Sequence, residues 1–551
     1  MVGYIQNLFL NNYLEIEIVY NYMKFKEKIK QNKFFSIFLL IAVGYFIVQI
    51  FLAQDLGINS DEGTHAITGL FYKDFIYNLK NFHSLNDITR FIIDYIVKYS
   101  KVTPYYPPLY HLLLAIVFTI QENIMIARIL NIVLTILTSF VIYKLTYECF
   151  SNKTIAFFSS IFFLDFMIIF FMANKVMIDI LQILTFSVVL WYYFKLRKTE
   201  IRNLHFKNLF ILSILISLSL LTKFYSIFIP VIIILDSFIH DRKFFKKMFI
   251  AIFLSFLIIS PYAYLYYKFH MYKLVIGKAE APWESYFVYF DIFRNFGVFL
   301  GFFVAFSLVY FFYKNRKSII FFIWYFIPLA VLLYLRNAES RYAFILMPIY
   351  AMSCGFSFIE ITKKIRTRLK KNIFIIFIFS LIILQFIYDI YLSYPTNYSY
   401  VYSQGSKYPV DEIMKSVKKD GNILILSEHP VYSSVFMFYG RVNKVSGNMI
   451  RPCIITLAKN NLTNDFLNEW GIRYIIDQKN VLNESLIKSL DLSIKVEMKV
   501  GGASLVLYEI QEEVKKTDCN FVCILMGKVC KNANFTEIIP LINNNIYTTK
   551  D

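Results

Sequence analysis

A short polar segment with two adjacent carboxylates, at residues 57–65, follows the first long apolar run. Asp61 and Glu62 supply the carboxylates, and His65 completes the segment. An aspartate with an ordinary pKa of about 4 is ionised at neutral pH and can accept the proton of an attacking hydroxyl group. Asp61 and Glu62 are therefore candidate catalytic residues. The alternatives are a solvated acidic pair and a histidine that only caps or packs.

Further charged residues lie at the ends of later apolar runs. Asp179 begins one run, Lys223 occupies a tight turn between two others, and Arg341 precedes another. Cations in a low dielectric neutralise the charge that develops on a departing phosphate. Together with Asp61 they suit a reaction in which a hydroxyl is activated and a phosphate leaves. Lys223 could instead be an interfacial anchor, and Arg341 could be an anchor paired with Glu339.

Asp165 lies in the middle of the apolar run 154–173. An acid at bilayer depth is a functional candidate by default. We favour the alternative, a carboxyl group that faces the helix bundle and is protonated or hydrogen-bonded.

The composition indicates a membrane protein that crosses the bilayer many times. Of 551 residues, 58% are hydrophobic, whereas soluble proteins contain about 45–50%. The net charge of +19 comes from short basic clusters between apolar runs, which is typical of membrane topology. We therefore expect no nucleic-acid partner.

The positions of the charges predict the topology. Five lysines precede the first run at 34–54 and acids follow it, so residues 1–33 are predicted to be cytoplasmic and Asp61 external. The run 107–120 is short and begins with two prolines, which favours a surface helix over a span. Ten further runs then make about eleven transmembrane helices: 126–146, 154–173, 179–194, 208–222, 224–239, 248–267, 295–313, 318–335, 342–359 and 372–388.

The basic clusters support this count. The loops assigned to the cytoplasm carry most of the Lys and Arg residues, whereas the short external loops carry only Lys175, Lys223, Arg336 and Arg341. A full span at 107–120 would place the clusters outside, against the positive-inside rule.

The sequence after residue 388 resembles that of a water-soluble domain. Strands are predicted at 422–427, 474–478 and 504–510, and helices at 410–419, 431–439 and 464–469. The predicted organisation is a transmembrane domain at 34–392 with a large external loop at 54–127, a small external α/β domain at 393–511, and an unassigned tail at 512–551.

Several short motifs follow one another along the first two thirds of the chain. They are Asp61-Glu62, Tyr106-Pro107-Pro108-Leu109-Tyr110, Ala127-Arg128-Ile129-Leu130-Asn131, Asn174-Lys175-Val176-Met177-Ile178-Asp179, Leu221-Thr222-Lys223, and Ser340-Arg341-Tyr342 followed by Met347-Pro348. Their order and spacing resemble the GT-C superfamily of membrane glycosyltransferases, in the branch with dolichyl-phosphate-mannose protein mannosyltransferases and the lipid A aminoarabinose transferase.

The resemblance implies roles for a few of these residues. Asp61 would act on the acceptor, Lys223 and Arg341 would hold the lipid phosphate, and Asp179 would help to shape the site. Asp179 and Tyr342 are therefore also candidate substrate- or lipid-phosphate-binding residues. The resemblance also implies a polyprenyl-phosphate-linked sugar donor that is made in the cytoplasm and used outside.

Some motifs depart from the family pattern. Thr64 and Tyr105-Tyr106 stand where the aminoarabinose branch has Arg and Glu-Lys, which disfavours lipid A as acceptor. The chain has neither the MIR repeat of eukaryotic protein mannosyltransferases nor the Trp-Trp-Asp-Tyr-Gly motif of oligosaccharyltransferases.

The predicted function is transfer of a single sugar, with inversion, to an external protein, glycan or lipid acceptor. No cofactor is fixed by the sequence, and a divalent cation stays open. We expect the protein to lie in the cell membrane, in contact with membrane lipid. The C-terminal domain is expected on the external side. The alternative is a lipid-linked-sugar flippase or a polytopic transporter, although the internal repeats typical of transporters are not visible.

Overall fold

The computed structural model describes most of the membrane domain and parts of the C-terminal region. The described residues are 33–54, 58, 60–99, 102, 106–200, 204–268, 295–316, 318–334, 340–393, 410–417, 422–426, 438–439, 441–443, 449–450, 462–464, 467, 472–478, 482, 484–500 and 503–510.

The membrane domain is built from helices. They are α1 (Lys33–Gln54), α2 (Ser60–Asn78), α3 (Leu85–Lys98), α4 (Leu109–Ile120), α5 (Ile124–Phe150), α6 (Lys153–Asp165), α7 (Met167–Ala173), α8 (Ile178–Arg197), α9 (Phe206–Leu220), α10 (Phe228–His240), α11 (Arg242–Lys268), α12 (Gly301–Lys314), α13 (Ile319–Tyr334), α14 (Met347–Lys364) and α15 (Arg368–Ser393). Short 3₁₀ helices at Phe224–Ile227 and Ser340–Leu346 precede α10 and α14.

Each predicted apolar run overlaps one α-helix, except the run 154–173, which overlaps two, and not every helix is long enough to span by itself. Among the described residues, six helices are long and apolar enough to cross a membrane, or seven if the bent pair α6 and α7 counts as one span. Others, such as α9 and α13, have 15 and 16 residues and extend about 22–24 Å, less than the roughly 30 Å hydrocarbon core. The count of eleven spans stays a prediction.

The predicted span 154–173 is broken in the structure. Helix α6 ends at Asp165, Phe166 has extended dihedral angles (φ −68°, ψ 122°), and α7 begins at Met167 with its axis turned by 67°. The last carbonyl groups of a helix have no partner within that helix. The break therefore leaves polar backbone beside Asp165, inside a run that the sequence shows as continuously apolar.

The segment predicted as the first large loop folds into three helices. Ser84 caps α3 through a capping box with Asp87, which satisfies backbone N–H groups at the start of that helix. Helix α4 has 12 residues and a length of about 18 Å, too short to span, as the sequence predicted. It packs against α2, and its first N–H group, at Leu109, donates to the Leu221 carbonyl (3.0 Å).

The C-terminal region contains a five-stranded mixed sheet in the order β2-β1-β3-β5-β4. Its elements are α16 (Val410–Ser416), β1 (Asn422–Leu426), β2 (Met449–Ile450), β3 (Ile472–Gln478), α17 (Glu484–Ser489), β4 (Leu492–Val500) and β5 (Ala503–Ile510). The three predicted strands are present, whereas β2 and β4 were not predicted. The predicted helices at 431–439 and 464–469 fall mostly outside the described residues. The external position of this region stays a prediction.

The core of the membrane domain lies around α5 and α8, which pack along each other, and around α6 and α14. Against that apolar core, charged side chains gather where the N-terminal ends of α2 and α8 meet the turns before α10 and α14. Those ends carry Asp61 and Asp179, and the two turns carry Lys223 and Arg341.

Candidate active site

Asp61 and Glu62 lie in the first turn of α2. The N-terminal end of a helix carries partial positive charge and stabilises carboxylates there. The two side chains nevertheless have different surroundings, because 48% of the Asp61 side chain is exposed and only 1% of the Glu62 side chain is. Asp61 can meet a substrate, whereas Glu62 is enclosed by protein.

Glu62 joins three separate parts of the chain. Its carboxylate accepts hydrogen bonds from Arg128 Nε (3.1 Å) and Nη2 (3.2 Å), and from the Val176 backbone N–H (3.0 Å). Arg128 in turn donates from Nη1 to the Ala53 carbonyl at the end of α1 (2.9 Å). Buried charges persist when they are paired and hydrogen-bonded in this way. Through these hydrogen bonds, Glu62 holds the first turn of α2 in place.

Asp61 is paired with a cation. Arg341 Nη1 donates to Asp61 Oδ2 at 2.6 Å. Asp61 is only partly enclosed by protein, and this partial burial raises its pKa, but Arg341, with smaller contributions from His65 and Lys223, outweighs it, so the pKa lies below the ordinary value. Asp61 is therefore ionised at neutral pH and can accept a proton.

Asp179 holds the lysine of the tight turn. Lys223 Nζ lies 2.5 Å from Asp179 Oδ1, and both side chains are buried. The ammonium group also lies over the ring of Tyr225, at 5.8 Å, a favourable position for a cation. The backbone bond between Leu109 and Leu221 ties this turn to α4. These contacts hold the Lys223 side chain in place at the end of α9.

His65 lies among the four charged residues. It is buried, its Nδ1 lies 3.0 Å from His111 Nε2, and it is within electrostatic range of Asp61, Asp179, Lys223 and Arg341. Burial lowers the pKa of His65 to about 4. The imidazole is therefore neutral at pH 7 and can exchange a hydrogen bond with the second histidine.

A hydrogen-bond chain supports the segment between α7 and α8. Tyr110 Oη donates to Asn131 Oδ1 (2.9 Å), and Asn131 Nδ2 donates to the carbonyl groups of Lys175 and Met177, the latter at 2.8 Å. Lys175 is itself buried, and burial lowers its pKa to about 8, with Glu62 and Asp61 opposing that shift. The same segment therefore places the Val176 N–H group against Glu62 and the Lys175 ammonium group near Asp61.

The structure brings Asp61, Asp179, Lys223 and Arg341 together and places Glu62 directly behind them. The assignment of these residues as catalytic or phosphate-binding stays a prediction. Tyr342 lies in the 3₁₀ helix Ser340–Leu346 with Arg341, but its side chain is outside the described part of the chain. Glu339 and Arg336 are also outside the described residues, so the predicted Glu339–Arg341 anchor is untested.

The sequence analysis named none of Arg128, His111 and Lys175 as a site residue, although Arg128 and Lys175 lie in motifs that resemble the family pattern. Arg128 carries a usable signal, since it is a cation in the first turns of an otherwise apolar helix, and such residues are rarely without a function. His111 has a weaker signal, as one polar residue in the apolar helix α4.

A divalent cation was left open by the sequence. In the part of the chain that the structure describes, no three His, Cys, Asp or Glu side chains form a group that could hold a metal ion. Asp61 and Glu62 are each paired with an arginine. The described residues therefore do not fit a resident divalent cation at this site.

Comparisons with known proteins agree with the fold and the motifs. Residues 105–265 match the family model of dolichyl-phosphate-mannose-protein mannosyltransferases. ArnT from Cupriavidus metallidurans, solved with undecaprenyl phosphate, is similar in structure with a TM-score of 0.59 and 11% identity, over 86% of this chain and 97% of that one. A comparison with curated protein sequences gives no match.

The archaeal oligosaccharyltransferase AglB from Archaeoglobus fulgidus, solved with an inhibitory peptide and a dolichol-phosphate, is also similar. Its TM-score is 0.52 at 12% identity, over 80% of this chain and 69% of that one. The apo form of the Archaeoglobus fulgidus oligosaccharyltransferase gives 0.50 at 13% identity, over 80% and 70%. Together these similarities show that the chain shares the fold of ArnT and of the archaeal oligosaccharyltransferase, and that residues 105–265 resemble the dolichyl-phosphate-mannose-protein mannosyltransferases.

Proposed function

We propose that the protein transfers a single sugar from a polyprenyl-phosphate donor to a hydroxyl-bearing acceptor on the external face of the membrane, with inversion at the anomeric carbon. The donor class is suggested by the lipid phosphates bound to ArnT and AglB. The external site follows from the positive-inside rule applied to the basic loops.

The observation that carries the proposal is the convergence of two acid–cation pairs around His65. Asp61 with Arg341 and Asp179 with Lys223 come from four distant parts of the chain, yet all four charges lie within electrostatic range of the one imidazole. A general base beside two cations, at the edge of an apolar bundle, suits displacement of a phosphate by a hydroxyl group.

The proposed reaction is one direct displacement. The acceptor oxygen forms a bond to the anomeric carbon while the bond from that carbon to the phosphate oxygen breaks. The acceptor proton passes to Asp61, and the bonding electrons leave on polyprenyl phosphate. Lys223 and Arg341 stabilise the charge that develops on the leaving oxygen, in a dielectric low enough to make their effect large.

Each supporting residue has a separate task. Asp179 holds Lys223 in place through the 2.5 Å contact, and Glu62 with Arg128 fixes the first turn of α2. These residues need not touch the substrate to matter, because small displacements of a catalytic group lower the rate strongly.

The purified protein should be incubated with a panel of labelled polyprenyl-phosphate sugars and candidate acceptors, while free polyprenyl phosphate is measured. A transferase releases polyprenyl phosphate and labels the acceptor. A flippase would move the intact donor across a vesicle membrane without cleaving it, so intact donor recovered from every mixture together with donor translocation would contradict the proposal.

A further inference from the structure

A second group of buried polar side chains lies at the break between α6 and α7, away from the proposed active site. Asp165 ends α6, Asp389 lies in α15, and Tyr45 and Gln49 lie in α1. Each is at most 4% exposed. Asp165 and Asp389 are within electrostatic range of each other and of Tyr45.

Phe170 of α7 holds the three helices in register around this group. Its ring packs edge-on against Tyr45 at 5.9 Å and against Phe386 of α15 at 5.5 Å. Gln49 Nε2 donates to the Phe170 carbonyl at 3.2 Å. The polar faces of α1 and α15 are therefore fixed on either side of the broken helix.

Asp389 is oriented by its neighbours. Gln385 Nε2 donates to Asp389 Oδ1 at 2.6 Å, and the side-chain oxygen Oε1 of Gln385 accepts from the Phe299 backbone N–H at 3.1 Å. Gly297 lies so close to the Gln385 amide that a Cβ atom there would clash with it. Gln385 therefore has one orientation, which occupies Oδ1 of Asp389 and leaves Oδ2 for another partner.

Among the residues that the structure describes, Asp165 Oδ2, Asp389 Oδ2, Tyr45 Oη and Gln49 Oε1 have no close hydrogen-bond partner, although the Gln49 side chain lies beside Tyr45 Oη. Buried polar atoms are nearly always satisfied, so each of these requires an explanation. Within the described part of the chain, no lysine, arginine or histidine lies in electrostatic range of either carboxylate. Two adjacent carboxyl groups in an apolar interior are neutral together only if one keeps its proton and the other is paired with a single positive charge, or if both keep their protons.

We propose that this group, which we call the break site (Tyr45, Gln49, Asp165 and Asp389), binds a small monovalent cation, with Na⁺ as the representative ion. The unpartnered atoms are all hard oxygen donors, and the C-terminal end of α6 adds carbonyl groups, as broken helices do where transporters coordinate Na⁺. Ca²⁺ takes six to eight oxygen ligands and Mg²⁺ retains several waters, which four enclosed side-chain oxygens do not provide.

A cation bound in the break site also affects the active site, through the position of helix α7. Helix α7 runs from the break directly into residues 174–177, which carry Lys175 and the Val176 N–H group bound to Glu62. Its seven residues extend only about 10 Å. Fixing the start of α7 therefore fixes the segment that supports Glu62, so Na⁺ stabilises the fold near the active site without touching the substrate.

The test is thermal stability of the purified full-length protein in detergent, in NaCl against choline chloride at equal ionic strength. Wild type should show a Tm higher by about 2 °C or more in saturating Na⁺, and the shift should disappear in Asp165→Asn and Asp389→Asn. Asp236→Asn is the matched control, because Asp236 is equally buried but paired with Tyr193 at 2.6 Å and Arg197 at 3.3 Å. It should retain the Na⁺ shift.

Direct binding of radioactive ²²Na⁺ keeps the test decisive if an acid variant does not fold. Wild type should bind the ion saturably, and Tyr45→Phe, which removes one oxygen and little volume, should weaken that binding about tenfold. Stability that depends on pH but not on Na⁺, or the absence of saturable ²²Na⁺ binding, would overturn the proposal and leave the two acids simply protonated.

Discussion

The guanidinium group of Arg341 lies 2.6 Å from the carboxylate of Asp61, although 280 residues separate them in the sequence. The contact sets the proton affinity of the proposed base, since it outweighs the effect of burial and lowers the pKa of Asp61. The arginine therefore has two proposed tasks, to keep Asp61 ionised and to stabilise the leaving phosphate.

Removing the cation should shift the pH dependence of the reaction. In Arg341→Gln, burial acts on Asp61 without that compensation, so its pKa should rise. A base is active above its pKa, so the acidic limb of kcat/KM against pH should move to higher pH, in addition to an overall loss of rate. Measuring the profile separates the two tasks, and an unmoved limb would show that Arg341 does not control Asp61.

The buried pair of Glu62 and Arg128 should be essential for stability. Arg128→Met leaves a buried carboxylate without its partner and should destabilise the protein by about 3–5 kcal/mol, measured as loss of unfolding free energy. The matched control is Arg90→Met, because Arg90 and Asp94 are a solvent-exposed pair 3.9 Å apart whose loss should cost less than about 1 kcal/mol. Equal effects of the two substitutions would contradict the role given to Glu62.

Low pH should destabilise the protein through His65. Its pKa is about 4 in the folded chain and about 6.5 when unfolded, so the unfolded state binds more protons between these values. Stability is therefore lost as the pH falls from about 6.5 to 4, by up to about 3 kcal/mol.

Thermal unfolding at pH 7.5 and at pH 5 measures this loss. His65→Gln cannot titrate and should show a smaller difference in Tm between the two pH values than wild type. His83→Gln, which alters an exposed histidine, should behave as wild type does. A wild-type difference retained in full by His65→Gln would place the titration elsewhere.

The C-terminal region is docked on α2 through Arg441. Its guanidinium donates to Asp74 at 2.6 and 2.9 Å and lies 3.4 Å from Glu122. Arg441→Ala should expose the facing surfaces of α2 and α4, which hydrogen exchange would detect as faster exchange. Lys495→Ala, which removes a contact to Glu509 within the sheet, is the control and should leave those helices protected.

The membrane helices could mostly be predicted from the sequence, because a helix that crosses lipid requires a long run of uncharged residues. The ends are harder to predict: the run predicted at 126–146 becomes Ile124–Phe150, since the helix continues past Lys144 beyond the apolar segment. The break at Asp165 was not predicted, because no proline or glycine marks it. Its stability depends on contacts with α1 and α15, which are distant in the sequence.

The charged residues of the site were visible as exceptions at the ends of apolar runs, so Asp61, Asp179, Lys223 and Arg341 could be named. Their pairing could not be predicted, because it depends on which helix ends meet in space. The sequence pairs Asp61 with Glu62 as neighbours, whereas the structure turns one toward Arg341 and the other toward Arg128.

The most direct test of the account is release of polyprenyl phosphate from a labelled polyprenyl-phosphate sugar by Asp61→Asn, compared with wild type and with Asp94→Asn. Asp94 is an exposed carboxylate of α3, so its substitution controls for the lost charge. We predict that Asp61→Asn enters the membrane and folds normally but releases polyprenyl phosphate about 10²–10⁴-fold more slowly, while Asp94→Asn matches wild type. Turnover by Asp61→Asn at the wild-type rate would contradict the central claim.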